Sequence, residues 1–297
     1  MPGHDELFEM RATTVAPLNG HSLLRLLFPG EIQLGRAHGS RPSERLAFLI
    51  HGLAMNEDYF GLLAPELIRH GYDVWAIRLP GYAASGQPAT LRDLHLSSSL
   101  ALYGWVVASA MRYVADTLDP RPSHVLAWGH SLGAATLATA VATHIGSEWS
   151  GPDRLVFEAP AFAEAIAFSG SIVAGFSAIP SALLDRLGQA FLMDDLRSSE
   201  FALRQGSPLV PGRTSRAVFN LNVIALTHPL ACTPHLSSEL LEKSWFVIGA
   251  MDRLVDAERL SGLLDERRVA PGRRLVLQRN HLLSLTAASE MVEWIER

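Results

Sequence analysis

A serine flanked by two glycines, in the segment Trp128–Gly133, is the feature that most constrains the fold of this chain. The segment reads Trp-Gly-His-Ser-Leu-Gly, follows the apolar run 124–127 and precedes a stretch rich in small residues, 134–141. The pattern predicts a short buried strand, a sharp turn and a helix. In such a turn the two glycines keep side chains clear of the adjoining strand and helix. Ser131 is therefore expected to present its hydroxyl at the N-terminus of a helix.

Apolar segments of strand length recur on both sides of this turn. They do not alternate with polar residues, which is typical of strands buried on both faces. Because helical stretches separate them, the chain predicts an α/β fold with a mostly parallel sheet and helices on both faces. The strands are predicted at 46–50, 72–78, 124–127, 153–160, 245–250 and 274–278. The helices are predicted at 59–70, 94–118, 257–268 and 285–296.

Two further strands are predicted near the start of the chain, at 7–18 and 21–28. Asn19-Gly20 between them is a strong signal for a hairpin turn. The residues that follow, 35–44, are polar and predict a connection rather than a strand.

The alternation of strands and helices stops between residues 161 and 240. This segment has helical periodicity, for example at 182–192, and loops rich in Gly, Pro and Ser, but no convincing strand. We therefore predict a hydrolase-type core of residues 1–160 and 241–297. A helical cap, 161–240, is expected to interrupt it and to lie over the carboxyl ends of the strands. Apolar residues of the cap favour a hydrophobic substrate, although they would equally serve to pack the cap onto the sheet.

A serine hydroxyl becomes an effective nucleophile when a base removes its proton and an acid holds that base in the right tautomer. When the serine comes first in the chain, the acid is expected after a later strand and the histidine after the next one. Asp252 follows the strand predicted at 245–250, and His281 follows the strand predicted at 274–278. Ser131, Asp252 and His281 are therefore the predicted nucleophile, acid and base.

Other residues stay open as candidates for the base and the acid. Among the 12 histidines, His281 alone follows the last predicted strand. The next candidates for the base are His51, His130 and His235. Asp256 is near Asp252 but at the start of a predicted helix, where it would act as an N-cap. Glu158 is the stronger alternative acid, because it ends the strand after the nucleophile helix and could also reach the histidine.

Two backbone N–H groups are needed to bind the negative charge that develops on the substrate oxygen. Leu132, directly after the nucleophile, is predicted to supply one of them. Leu53, directly after His51-Gly52, is predicted to supply the other. Only its backbone is needed for this role, so the Leu53 side chain is also free to pack under the cap.

Several short motifs occur together and in the order of one known family. They are His51-Gly52-Leu53, Leu79-Pro80-Gly81 with Ser85-Gly86, Gly129-His130-Ser131-Leu132-Gly133, Ala159-Pro160, Gly249-Ala250-Met251-Asp252 and Asn280-His281. With them, most of the chain outside the cap resembles the α/β-hydrolase family, and within it serine hydrolases of the monoacylglycerol lipase and lysophospholipase type. The resemblance implies a Ser131, Asp252 and His281 triad and an acyl-enzyme that water cleaves. The chain departs from the family pattern at Ala83-Ala84 and at Asn280, where glycine is commoner.

Composition excludes several classes of function. The net charge is −5, with no broad basic surface, so nucleic acid is not expected as a partner. Cys232 is the only cysteine, which excludes an intramolecular disulfide and a thiolate metal site. Because no P-loop, dinucleotide fingerprint or cluster at metal-ligand spacing is found, neither a cofactor nor a metal is expected.

The start of the chain lacks the basic and apolar regions of a signal peptide, so a cytoplasmic location is expected. Two uncharged runs, 94–111 and 166–184, are long enough to span a membrane. The first contains His95 and four serines, and the second is broken by glycines and a proline, so no transmembrane segment is expected. A peripheral membrane contact through the apolar part of the cap stays open.

The sequence thus predicts a serine hydrolase that cleaves a carboxylic ester with a hydrophobic acyl group. A thioesterase, a lactonase, a C–C hydrolase and an acyltransferase or cyclase would use the same three residues, so the sequence does not separate them. A non-catalytic protein that binds a ligand on this fold is the alternative from a different class. The sequence predicts neither the natural substrate nor the oligomeric state.

Overall fold

The structure is a computed structural model that describes residues 7–14, 31–53, 55–82, 91–145, 149–166, 216–227 and 236–297. Within these residues, eight strands form one sheet in the order β1-β2-β4-β3-β5-β6-β7-β8. They are β1 (Phe8–Thr14), β2 (Glu31–Ala37), β3 (Arg45–Ile50), β4 (Asp73–Arg78), β5 (His124–His130), β6 (Arg154–Glu158), β7 (Ser244–Gly249) and β8 (Arg274–Leu277). β1 and β2 are antiparallel to their neighbours, and the other six strands are parallel. The mostly parallel sheet that the sequence predicts is confirmed.

Helices cover both faces of this sheet. The helices described are α1 (Leu63–Arg69), α2 (Leu91–Ser97), α3 (Leu100–Thr117), α4 (Leu132–Thr143), α5 (Arg216–Thr227), α6 (Ser238–Glu242), α7 (Ala257–Glu266) and α8 (Ala288–Ile295). Short 3₁₀ helices occur at Glu57–Phe60, Pro271–Arg273 and Leu283–Leu285. One hydrophobic core contains buried side chains of α3, α4 and α7, and the other contains those of α1 and α8.

The strand β3 shows why the central strands are apolar throughout. Successive side chains of a strand point to opposite faces of the sheet. Leu46, Phe48 and Ile50 belong to one core, whereas Ala47 and Leu49 belong to the other. All five are completely buried. A strand between two helical layers therefore has no solvent-facing side on which polar residues would be favoured.

The strand β2 differs from the sequence prediction. Residues 35–44 are predicted as a polar connection, but the first three of them belong to β2, so the prediction is wrong there. β2 accommodates Arg36 because its guanidinium donates to both carboxylate oxygens of Asp73, at 2.8 and 2.9 Å. The partner that the sequence predicts for β1, at 21–28, lies outside the described residues.

The helix predicted at 94–118 is in fact two helices, α2 and α3. The break occurs at Ser99, whose hydroxyl accepts a hydrogen bond from the N–H of Ala101 at 3.2 Å. A serine in this N-cap position satisfies one of the N–H groups that a helix start leaves without a partner. Within α3, Gly104 allows close packing on α4, because a Cβ atom there would lie 2.9 Å from the backbone nitrogen of Ala140.

The segment predicted as a cap, 161–240, is described only in part. Its helix α5 packs on the loop after β4, because a Cβ atom on Gly81 would lie 2.7 Å from the side chain of Val218. In the same contact, Nδ2 of Asn222 donates a hydrogen bond to the hydroxyl of Tyr82 at 2.9 Å. The helix predicted at 182–192 lies outside the described residues, and the division into core and cap stays a prediction.

The uncharged run 94–111 falls within α2 and α3. Across the described ranges, no helix combines the length and the apolar character needed to cross a membrane. Most of the second run, 166–184, lies outside those ranges.

Candidate active site

Ser131 lies between β5 and α4, as the sequence predicts. Its backbone has φ = 52° and ψ = −115°, a conformation that residues with a side chain rarely adopt and that costs about 1–3 kcal/mol. The turn is held by two backbone hydrogen bonds. Ser131 N donates to the carbonyl oxygen of Glu158 at 2.9 Å, and Ala161 N donates to the carbonyl oxygen of Ser131 at 3.2 Å. The surrounding structure thus compensates for the strained conformation of the serine.

The glycines of the turn are required by close backbone contacts. A Cβ atom on Gly133 would lie 2.1 Å from the carbonyl oxygen of Ile50 and 2.6 Å from that of His51. A Cβ atom on Gly129 would lie 2.6 Å from the carbonyl oxygen of Gly133. The end of β3 therefore lies directly against the start of α4, which brings the loop after β3 next to the serine.

Asp252 and His281 form a buried hydrogen-bonded pair at the carboxyl ends of β7 and β8. His281 Nδ1 lies 2.7 Å from Asp252 Oδ2, and the two side chains are 4% and 2% exposed. The other carboxylate oxygen, Oδ1, accepts from the N–H groups of Leu254 and Val255 at 2.7 and 3.0 Å. With Asp252 ionised, His281 carries its proton on Nδ1, and Nε2 is the nitrogen that accepts a proton.

His130 connects the serine turn to His281. Its Nε2 donates to the carbonyl oxygen of His281 at 3.1 Å, and the two imidazole rings meet edge to face with their centroids 4.7 Å apart. Because His130 precedes Ser131 directly, this contact places the serine turn against the loop that carries His281. The structure thus brings together the neighbourhoods of all three predicted catalytic residues.

His51 and His130 do not have the environment of a base. His51 Nε2 accepts from Leu79 N at 3.0 Å, and its Nδ1 donates to the carbonyl oxygen of Gly52 at 2.9 Å, so both nitrogens are engaged. Burial lowers the pKa of His51 to about 4 and lowers that of His130 well below its usual range. Both rings are therefore neutral. The other alternative, His235, lies outside the described residues.

The alternative acids have different partners. Asp256 is the N-cap of α7, because its Oδ1 accepts from the N–H groups of Glu258 and Arg259, both at 3.0 Å. Glu158 is completely buried and accepts hydrogen bonds from Tyr59, Trp128 and Ser284. Burial raises the pKa of the Glu158 carboxyl, and these hydrogen bonds oppose that effect. The carboxyl that bonds to His281 is that of Asp252.

The residues predicted to bind the oxyanion lie beside the serine. Leu132 is the first residue of α4, so its N–H has no acceptor within the helix. Leu53 follows Gly52, and a Cβ atom on Gly52 would lie 3.2 Å from Cβ of Ser131 and 2.7 Å from Nδ1 of His130. Glycine at position 52 thus allows the backbone at Leu53 to approach the serine.

Acid is expected to destabilise the chain partly through His51. Above pH 6.5 this imidazole is neutral in both states, and its contribution to folding is complete. Below that pH the unfolded chain takes up a proton, whereas the folded chain does so only near pH 4. The free energy of unfolding therefore falls between pH 6.5 and 4, by up to about 3 kcal/mol from this residue.

Urea unfolding of the native chain and of His51→Gln at pH 7.5 and 4.5 measures this effect. The variant cannot titrate at this position, so it should lose about 2 kcal/mol less stability between the two pH values. It should also be less stable at pH 7.5, because the hydrogen bonds to Leu79 and Gly52 are altered. An identical loss for both chains would show that His51 is not a source of the acid sensitivity.

In the described part of the chain, no three His, Cys, Asp or Glu side chains are grouped so that they could hold a metal ion. The chemistry available at the site is that of the serine, the histidine, the carboxylate and the backbone N–H groups around them. This combination is suited to nucleophilic attack on a carbonyl group.

Comparison with known proteins is consistent with this fold. A model of the alpha/beta hydrolase family matches residues 47–294. No curated protein is similar enough in sequence to count as a relative. Several solved structures share the fold, at sequence identities too low to transfer an activity.

Three of these structures illustrate the similarity. An esterase from Exiguobacterium antarcticum is 14% identical with a TM-score of 0.64, over 90% of this chain and 97% of that chain. A bromoperoxidase from Bacillus anthracis is 16% identical with a TM-score of 0.60, over 97% and 100%. A thermophilic esterase from Thermogutta terrifontis is 14% identical with a TM-score of 0.61, over 96% and 98%. The fold predicted from the sequence is confirmed by these matches.

Proposed function

The chain belongs to the alpha/beta hydrolase family, and from this premise we propose that it is a serine hydrolase that cleaves carboxylic esters with a hydrophobic acyl group. The observation that carries the proposal is the buried 2.7 Å hydrogen bond between His281 and Asp252. It is supported by the position of Ser131, in a strained turn whose preceding residue contacts His281. Hydrolase activity follows from the family, and the ester class and the triad are the proposal.

In the proposed reaction, Ser131 Oγ attacks the carbonyl carbon of the ester while His281 Nε2 takes the hydroxyl proton. Asp252 stabilises the imidazolium that forms. The N–H groups of Leu132 and Leu53 bind the oxyanion of the tetrahedral intermediate. The intermediate collapses to an acyl-enzyme when the alcohol leaves with the proton from His281. Water then attacks the acyl group by the same steps in reverse order, which releases the acid and restores the serine.

The hydrophobic acyl preference depends on the segment predicted as a cap. Phe162 and Ile166 are buried in the same core as Phe157, so these residues pack the start of the segment onto the sheet. The preference therefore rests on the apolar residues of 167–184, which lie outside the described residues. The resemblance to monoacylglycerol lipases, the cytoplasmic location and peripheral membrane contact likewise stay predictions.

A fluorophosphonate tests whether the serine is activated. It phosphonylates a serine that a histidine has deprotonated, and the intact mass of the protein rises by one adduct. We expect a single adduct on the native chain and none on Ser131→Ala. No adduct on the native chain, with a probe small enough to enter the site, would favour the alternative of a non-catalytic binding protein.

The same labelling does not distinguish an esterase from a thioesterase, a lactonase, a C–C hydrolase or an acyltransferase, because these share the acyl-enzyme or its nucleophile. A panel of esters, thioesters and lactones of matched acyl chains separates the first three by kcat/KM. Adding alcohols or amines as acceptors then reveals acyl transfer. An esterase should give the highest kcat/KM on the oxygen esters and release the free acid.

A further inference from the structure

The buried carboxyl of Glu158 has no place in the proposed reaction, yet it lies between the segments that carry the nucleophile and the base. Glu158 ends β6, and its side chain is completely buried. Burial of such a group is unfavourable unless hydrogen bonds compensate for the loss of water. A buried polar group with a complete set of partners fixes the relative positions of the segments that provide them.

Four hydrogen bonds converge on this carboxyl. Oε1 accepts from the hydroxyl of Tyr59 at 2.5 Å and from the N–H of Ser284 at 2.8 Å. Oε2 accepts from Nε1 of Trp128 at 2.7 Å and from the hydroxyl of Ser284 at 2.6 Å. The carboxylate has about four acceptor positions, so all of them are engaged. The same carboxyl therefore binds Ser284 through both its backbone and its side chain.

Ser284 lies three residues after His281, at the centre of the 3₁₀ helix Leu283–Leu285. The backbone oxygen of Glu158 also accepts the N–H of Ser131, at 2.9 Å. One residue thus holds the backbone of the nucleophile through its carbonyl group and the loop of the base through its carboxyl group. No other contact described above joins these two segments through a single residue.

A second route from Glu158 leads to the same histidine. The ring of Tyr59, which bonds to Glu158, packs on the ring of His130 with the centroids 4.2 Å apart and the planes at 35°. His130 in turn contacts the ring of His281. Movement of the Glu158 carboxyl would therefore be transmitted to His281 through its loop and through its ring contact.

We propose that Glu158 is a positioning residue that fixes His281 relative to Ser131. The inference rests on the proposed function, because it assigns a role in the attack of the serine to a group that does not touch the substrate. A displacement of about 1 Å between reacting groups can cost about 10²-fold in rate. Loss of the Glu158 carboxylate should thus slow acylation without changing the chemical identity of any catalytic group.

Glu158→Gln is the sharpest test, because an amide of the same shape cannot satisfy these partners. The N–H of Ser284 faces one oxygen and the N–H of Trp128 faces the other, and neither can act as an acceptor. In either orientation the amide NH₂ therefore meets an N–H donor. Asp73→Asn is the matched control, since Asp73 is also completely buried and pairs with Arg36, but it begins β4 at the opposite end of the parallel strands.

The measurement is the second-order rate constant for labelling by a fluorophosphonate as a function of pH. We expect Glu158→Gln to lower this constant about 10- to 100-fold. Its pH midpoint should move to lower pH, because a displaced His281 is bonded less well to Asp252 and its imidazolium is less stabilised. Asp73→Asn should retain the native rate constant and midpoint at temperatures where it is folded.

The outcomes separate the inference from the function on which it rests. Unlabelled native chain would overturn both the proposed function and this role of Glu158. Labelled native chain with a native rate constant and midpoint in Glu158→Gln would overturn only the positioning role. If Glu158→Gln does not fold, Ser284→Ala removes one of the four hydrogen bonds and should slow labelling several-fold with the same shift of midpoint. Native behaviour of Ser284→Ala would then overturn the inference.

Discussion

Replacing Ser131 with alanine is expected to lower kcat for ester cleavage by about 10⁶-fold. The proposed reaction passes through a bond between the serine oxygen and the acyl carbon, and alanine has no atom that can form it. His281 and Asp252 would remain hydrogen bonded, but without the nucleophile they have no proton to transfer. Steady-state hydrolysis of a short-chain aryl ester, followed by release of the alcohol, measures the loss.

The fold of the variant should be unaffected, because alanine occupies the same backbone conformation as serine. Ser131→Gly is a useful companion, since glycine adopts φ = 52° without strain. It should be equally inactive but more stable than Ser131→Ala, by about 1 kcal/mol in urea unfolding. Substantial turnover in either variant would assign the nucleophile to another residue.

Asp252→Asn is expected to lower kcat/KM by about 10⁴-fold, although it replaces one oxygen by a nitrogen of similar size. The N–H groups of Leu254 and Val255 both donate to Oδ1, so the asparagine oxygen is held at that position. Its NH₂ group then faces Nδ1 of His281. The histidine is forced into the tautomer that carries its proton on Nε2, and this nitrogen can no longer accept the serine proton.

Glu158 is not expected to replace the lost carboxylate, since its four acceptor positions are engaged. Asp256→Asn is the matched control, because asparagine also caps helices well and Asp256 bonds only to the start of α7. This control should keep kcat/KM within about twofold of the native value. A comparable loss in both variants would show that the region around β7 is generally sensitive and that Asp252 has no special role.

The parts of the fold that depend on local pattern are the parts that the sequence predicts well. Gly133 is required where the end of β3 approaches the start of α4, and the spacing of the glycines already indicates such a turn. The central strands are recognisable because burial on both faces excludes polar residues. β2 is missed because Arg36 makes it look exposed, and its compatibility with the sheet depends on Asp73, 37 residues away.

The candidate site shows the same limit. Chain order singles out Asp252 and His281, and the structure places them in a hydrogen bond. The environments of His51 and Glu158 depend on partners that no local pattern reveals. Leu79 lies 28 residues from His51, and Tyr59 and Ser284 lie 99 and 126 residues from Glu158. Sequence reasoning could therefore name these side chains as rivals but not exclude them.

The order of the strands also bears on when the site becomes complete during synthesis. Strands β1 to β6 occupy one side of the sheet, and β7 and β8 are added at the edge beyond β6. Because a growing polypeptide folds from its N-terminal part first, the turn of Ser131 and its acceptor Glu158 can form early. The proposed base and acid follow only after the last two strands have left the ribosome. A ribosome-bound chain that ends before β8 would carry the serine without hydrolytic activity, so nascent chains would not cleave esters in the cell before they are finished.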